Sequence, residues 1–245
     1  MTEIHADFPK KLKKVLSDNG FPDLLTDGQA ARFADAARVL LQKNEEVNLT
    51  AIVDEDGILF RHYVDSLTVV PKIPAGARMC DIGAGAGFPS LPVALARPDV
   101  TVLAVDSVGK KMRALGEQAA ALGLSNLSAL SARAEEMGKD AKYREKFDFV
   151  TARAVTRMNV LAEFCLPLLR VGGVMAAMKA KTADEELAEA KNAITKLGGT
   201  LRATDSFTLT MNGETLERTL ILIEKTSPTP AAYPRNFSQI SKKGL

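Results

Sequence analysis

Asp81-Ile82-Gly83-Ala84-Gly85-Ala86-Gly87-Phe88-Pro89 is the most informative segment of the chain. A short apolar run, Arg78 to Ile82, passes through closely spaced glycines into what reads as a helix. Glycine lets the backbone turn sharply and lets a ligand approach the main chain with no side chain between them. A plain strand-to-helix turn would explain one pair of glycines. Three alternating glycines behind an aspartate point instead to a ligand-binding turn.

Beyond this loop, β-branched runs alternate with longer helical stretches. Val100 to Val105 reads as a second strand, Lys110 to Leu122 as a helix and Leu127 to Ala129 as a third strand. Phe147 to Ala152 reads as a fourth strand, Met158 to Leu169 as a helix and Gly173 to Met178 as a fifth strand. This alternation is the sequence form of a parallel sheet with crossover helices. Further on, Ser206 to Thr210 and Thr219 to Ile223 flank Asn212-Gly213, a pair suited to a tight hairpin, although the uneven spacing permits a longer loop. That last strand pair is expected to be antiparallel. On the amino-terminal side, Thr26 to Gln29 has the form of a capping box, and Phe33, Ala36, Ala37, Leu40 and Leu41 follow at helical spacing, predicting a helix to about Gln42. Pro71, Pro74 and Gly76 break the helical pattern. The expected architecture is α/β: a Rossmann-like, seven-stranded, mostly parallel sheet with an antiparallel last strand. It divides into a helical extension at 1–72, a core at 73–225 and a weakly structured basic tail at 226–245.

Composition narrows the class. The chain has 245 residues, 46% hydrophobic and 25% charged, with a net charge of +2. Such a chain buries about 70% of its unfolded surface without disulfide or metal staples. The charge balance is too small to imply nucleic-acid binding without a local patch. Cys80 and Cys165 lie in apolar surroundings and read as buried thiols of a reducing compartment. With only His5 and His62 besides, a zinc cluster is not expected. The charged amino terminus and the lack of a long apolar run predict a cytoplasmic protein with no membrane segment.

The loop also bears on the ligand. A dinucleotide site favours its third glycine one position later, where Phe88 stands, which weakens a nicotinamide reading. Asp106, at the end of the second strand, can accept hydrogen bonds from two ribose hydroxyls, a need shared by NAD and S-adenosylmethionine. Adenosylmethionine carries no phosphate, so Gly83 and Gly85 need only admit its amino-acid portion, and Asp81 can face its cationic groups.

Asn48-Leu49-Thr50-Ala51-Ile52, His62 with Asp65-Ser66-Leu67, the Gly83 to Pro89 loop, Arg133-Ala134-Glu135-Glu136, Arg153-Ala154, Gly172-Gly173 with Lys179, and Tyr233-Pro234-Arg235 follow in order along the chain. Together they resemble the ribosomal RNA small-subunit methyltransferase G family, also called glucose-inhibited division protein B, over nearly the whole chain. The resemblance implies a class I methyltransferase that moves a methyl group from S-adenosylmethionine to N7 of one guanine in small-subunit ribosomal RNA. It also implies cofactor contacts at Gly83, Phe88, Ala134, Glu135 and Arg153. The sequence departs from the family pattern at an extra charged segment, Lys139 to Lys146, and at an end, Lys242-Lys243-Gly244-Leu245, that lacks the usual proline.

Guanine N7 offers a lone pair without a proton, so no general base is required and catalysis rests on orientation and fixed dipoles. The sequence agrees: it offers no Ser-His-Asp set and no Asn/Asp-Pro-Pro-aromatic segment after the fourth strand, and Cys165 lies on a helix, unsuited to covalent catalysis. Arg153 is the candidate catalytic residue, touching cofactor and guanine; the alternative is an ion pair with Asp148 or Glu163. Arg133, Arg157, Lys179 and Arg235 are the principal candidates for RNA contact, with Lys110, Lys111, Arg113, Lys181, Lys242 and Lys243 around them. The RNA partner would be ribosomal RNA, free or in the small subunit. His62 and Asp65, at i and i+3, are expected to tie a helix to the core, and Phe33, Phe60 and Phe164 to be core residues. A methyltransferase for another acceptor and a non-catalytic RNA-binding assembly factor are the competing readings.

Overall fold

The computed structural model describes residues 2–180 and 183–245. Among them seven strands form one sheet in the order β3-β2-β1-β4-β5-β7-β6. The strands are β1 (Arg78–Ile82), β2 (Thr101–Asp106), β3 (Leu127–Ser131), β4 (Phe147–Arg153), β5 (Leu169–Lys179), β6 (Gly199–Met211) and β7 (Glu214–Lys225). The first five run parallel, and β7 runs antiparallel to both its neighbours. This is the Rossmann-like sheet anticipated from the alternating pattern. The helices are α1 (Phe8–Asp18), α2 (Asp27–Val47), α3 (Glu55–Gly57), α4 (Asp65–Leu67), α5 (Ser90–Ala96), α6 (Gly109–Ala121), α7 (Ala134–Met137), α8 (Met158–Cys165), α9 (Ala183–Lys196) and α10 (Phe237–Lys242).

Period-two alternation distributes the core over both sheet faces. Met79, Phe149 and Ala176 join one apolar cluster with Phe8, Phe33 and Leu40 of the amino-terminal helices and Leu115 of α6. Their strand neighbours Cys80, Val150 and Ala177 join a second cluster with Leu161, Ile194 and Ile240. Phe33, Phe60 and Phe164 are buried, as are both cysteines, whose thiols burial pushes up. Strand order reverses between β2-β1 and β4-β5, and β1 pairs β4 with Ile82 opposite Ala152. Open α/β sheets bind ligands at the carboxyl edge of such a switch point. The glycine loop and Arg153 therefore emerge side by side there.

Several boundaries differ from the sequence reading. The Thr26–Gln29 capping box is present, but α2 runs on to Val47 and stops at Asn48, whose φ of 50° is left-handed. The helix from Met158 ends at Cys165, because Pro167 withholds an amide and leaves a 3-10 turn over Leu166–Leu168. The final hairpin is the tight one that Asn212-Gly213 suits, on strands longer than the sequence reading: these two residues alone join β6 to β7, with φ of 50° and 82°. The segment 226–245, read as weakly structured, is held down. Arg144 donates to the carbonyls of Tyr233 and Thr229 at 2.7 and 2.6 Å, and a capping box at Asn236 and Gln239 starts α10. Each of these holds is a contact between distant parts of the chain or a cap with no apolar run behind it.

Two exposed glycines separate backbone strain from packing. A Cβ at Gly116 or at Gly213 would meet nothing within 4 Å, yet only Gly213 has a positive φ. Gly116→Ala should stabilise the protein by up to ~1 kcal/mol and Gly213→Ala should destabilise it by about 1 kcal/mol. Urea melts check this, and a stabilising Gly213→Ala would contradict the turn geometry.

Candidate functional site

The amides of Gly83 and Ala84 both donate to the Val105 carbonyl, at 2.8 and 3.0 Å, so the loop after β1 is bound to the end of β2. Gly83 has φ of 73°, and a Cβ there would meet Val155 Cγ2 at 2.4 Å; a Cβ on Gly87 would meet Leu115 Cδ1 at 2.6 Å. Positive φ favours glycine at both, and a Cβ at either would require the neighbouring side chain to move. The Asp106 carboxylate accepts from the Gly85 amide at 3.0 Å and from the Val108 amide at 2.8 Å, one bond per oxygen. Each oxygen keeps acceptor capacity for a hydroxyl.

Asp81 is fully buried. One of its oxygens accepts from the Ser90 amide at 3.2 Å and from the Ser90 hydroxyl. The other is buried with no partner among the described residues. Desolvation pushes its carboxyl up to about 7, against the lowering effect of Ser90 and Arg153. An unsatisfied buried carboxylate oxygen beside a Cβ-free loop suits a cationic amino group, and Asp106 suits a ribose, so these residues fit S-adenosylmethionine. Gly83, Asp106, Arg133, Ala134, Glu135 and Phe237 line a pocket of about 190 Å³ here.

A larger pocket of about 670 Å³ adjoins it, lined by Arg61, His62, Arg153, Arg157, Lys179 and Arg218 among others. Val155 belongs to both linings. The chain leaves β4 through Ala154, a non-glycine residue with φ of 56°. Arg153 donates from NH1 to Asp65 at 2.9 Å and to the Arg61 carbonyl at 3.1 Å, and its guanidinium lies 5.5 Å from the Phe88 ring centre. Arg218 donates to the other Asp65 oxygen at 2.7 Å. His62 stacks on Phe88, with ring centres 4.1 Å apart and planes 12° apart. Its Nε2 lies 2.9 Å from Thr50 Oγ1. Burial, then the nearby Arg153 charge, lowers His62 to about 4, so the ring is neutral at physiological pH. His62 lies in a π-helical turn, Ile58–Val64, a wide helical geometry frequent at functional sites.

The structure thus gathers Gly83, Asp106, Arg133, Ala134 and Glu135 at one pocket, while Gly85 lies outside its lining and is joined to it through Asp106. Phe88 lies beneath the His62 ring, next to Arg153, rather than in either lining. His62 and Asp65 do tie a helix to the core, but through Thr50, Phe88 and Arg153 and not through each other. Arg153 pairs with neither expected carboxylate: Asp148 takes Arg170, and Glu163 takes Arg235. Of the RNA candidates, Arg157 and Lys179 line the larger pocket, paired with Glu189 and Glu186. Arg235 is elsewhere, committed to the buried Glu163. Lys110 and Arg113 are exposed on α6, Lys242 and Lys243 are exposed at the tail, and Lys181 lies outside the described residues. Arg61, Val155, Arg218 and Phe237 were not legible as site residues. No local pattern marks them; the exposure of the apolar Val155 and Phe237 is visible only in the fold.

Among the described residues no helix is long and apolar enough to cross a membrane, and no group of His, Cys, Asp and Glu is arranged to hold a metal ion. A family profile described as GidB, rRNA small subunit methyltransferase G, matches residues 29–215. A protein of Lactobacillus delbrueckii subsp. bulgaricus named ribosomal RNA small subunit methyltransferase G is 45% identical over 241 residues, spanning 97% of this chain and 99% of that protein. A protein of Exiguobacterium sp. with the same name is 44% identical over 237 residues, 95% of this chain and 97% of its own. Among solved structures, the O-methyltransferase from Bacillus cereus in complex with SAH shares the fold at a TM-score of 0.55, with 16% identity, over 88% of this chain and 97% of that one.

Asp81 gives stability a pH dependence of known sign. Its folded pKa of about 7 lies above the ordinary 3.8, so between those values the folded state binds more protons and stability falls as pH rises. Asp81→Asn stays neutral throughout. Its ligand-free melting temperature should exceed that of the native protein at pH 8, with the gap narrowing as the pH is lowered to 5. A gap independent of pH would show that Asp81 is not held protonated by its surroundings.

Proposed function

The chain belongs to the ribosomal RNA small subunit methyltransferase G family, and from that membership we propose that it methylates N7 of one guanine in small-subunit ribosomal RNA, with S-adenosylmethionine as donor. The observation that carries this reading is the adjacency of two pockets at the switch point of the sheet, with Val155 common to both. One offers the backbone and carboxylates that suit the donor; the other offers arginines and a neutral histidine to a base.

The donor, when bound, supplies a methyl group made electrophilic by its positively charged sulfur. Asp106 would hold the ribose, the glycine loop would admit the amino-acid portion, Asp81 would face the amino group, and Ala134 with Glu135 would border the remainder. Guanine N7 needs no base, so the task of the protein is alignment, which can contribute several kcal/mol. Arginine commonly reads guanine through O6 and N7 together. N7 must stay open to the methyl carbon, so Arg153 serves the reaction by donating to O6 alone. Its hydrogen bonds to Asp65 and to the Arg61 carbonyl both use Nη1, which fixes the guanidinium and leaves Nε and Nη2 to serve the base. Methylation leaves the purine cationic. A neutral His62 adds no charge against it, and Asp65 and Glu186 lie in the same lining. Arg61, Arg157 and Arg218 supply positive charge for flanking phosphates.

Mapping N7-methylguanine in ribosomal RNA from cells with and without the gene tests the reading. One guanine should lose its methyl group in the deletion strain, and an unchanged map would refute the assignment. Arg153→Ala should lower methyl transfer about a hundredfold, while the melting temperature changes little, since Asp65 retains Arg218. Undiminished turnover in that variant would remove Arg153 from the reacting centre.

A further inference from the structure

We propose that the carboxyl-terminal helix α10 completes the cofactor pocket, its Phe237 ring forming the wall against which the adenine of S-adenosylmethionine stacks. The inference rests on the methyltransferase reading and adds a residue to it. Phe237 is 48% exposed and lines the pocket that contains Gly83, Asp106, Ala134 and Glu135. Burial does not explain its place, because α10 docks on the core through Ile240, which is 1% exposed. An exposed phenyl ring at the rim of a pocket presents a π face to whatever enters, and a purine is the flat, apolar-faced part of the donor. The Arg133 guanidinium lies over the same ring, 5.2 Å from its centre, and closes the rim. Asp106, suited to the ribose, lines the same pocket, so a nucleoside bound there by its sugar has its base within the reach of this wall.

The ring is held in position by several independent contacts. The capping box of Asn236 and Gln239 starts the helix at Phe237 itself. Arg235, the preceding cation, donates to the buried Glu163 at 2.7 Å. Lys139 donates to Asn236 at 2.5 Å, and Arg144 donates to the Tyr233 carbonyl at 2.7 Å. The charged segment Lys139 to Lys146 thereby acts as the fastening of the tail. Gly138 completes the seat, since a Cβ there would meet Pro234 Cγ at 2.8 Å.

The chain contains no tryptophan, so Phe237→Trp installs a single tryptophan, selectively excited above the tyrosine band, at the proposed wall. Titrated with S-adenosylhomocysteine to saturation by calorimetry, this variant should change its emission in step with binding. Adenosine should change the emission as well, and methionine should not. Phe237→Ala should weaken S-adenosylhomocysteine binding about tenfold at an unchanged melting temperature. Native affinity in Phe237→Ala, or emission indifferent to saturating S-adenosylhomocysteine, overturns the inference and leaves the methyltransferase reading intact. Native protein that fails to bind S-adenosylhomocysteine overturns both.

Discussion

The hydrogen bonds from Gly83 and Ala84 to the Val105 carbonyl are the constraint on which the site depends. They pull the loop after β1 onto the end of β2, and the next glycine amide then reaches Asp106. Positive φ at Gly83 favours a residue without a side chain on this path, and Val155 lies where a Cβ at Gly83 would sit. The result is a bend whose backbone is accessible, with one carboxylate beneath it and another across from it. Asp81 is the costly member of this arrangement: it is buried with one oxygen unsatisfied, so it gains most from a cationic partner.

A second feature follows from sheet order. Because β1 lies beside β4, the loop and Arg153 leave the sheet as neighbours. Arg153 then meets Asp65, which the amino-terminal helices carry in, and Asp65 also takes Arg218 from β7. One buried carboxylate thus orders two guanidiniums from different strands. That arrangement suits a reaction with no proton to remove, in which rate depends on how rigidly two reactants are held. The stack of His62 on Phe88 ties the acceptor side to the glycine loop, and burial keeps that imidazole uncharged.

The tail extends the same logic. The four principal cations that read in the sequence as RNA contacts are divided by the fold among three places, Arg133 lying at the smaller pocket. Arg157 and Lys179 reach the larger pocket, whereas Arg235 is committed to the buried Glu163 and anchors α10. Isolated charges in a sequence carry no address, because an ion pair between distant residues leaves no periodic trace.

The sequence by itself determined the sheet, the glycine turn and the acidic residue facing it, and the order of its motifs along the chain pointed to the chemistry class. Those features are local: strand alternation, the helix cap at Thr26 and closely spaced glycines each act within a few residues of themselves. Tertiary structure decided who partners Arg153, where Arg235 is spent, and that the tail is built into the pocket. Arg153 and Asp65 are 88 positions apart, and Arg218 and Asp65 are 153 apart. Pairings over such distances depend on which element the sheet order brings alongside, and that is a property of the folded chain rather than of any segment of it.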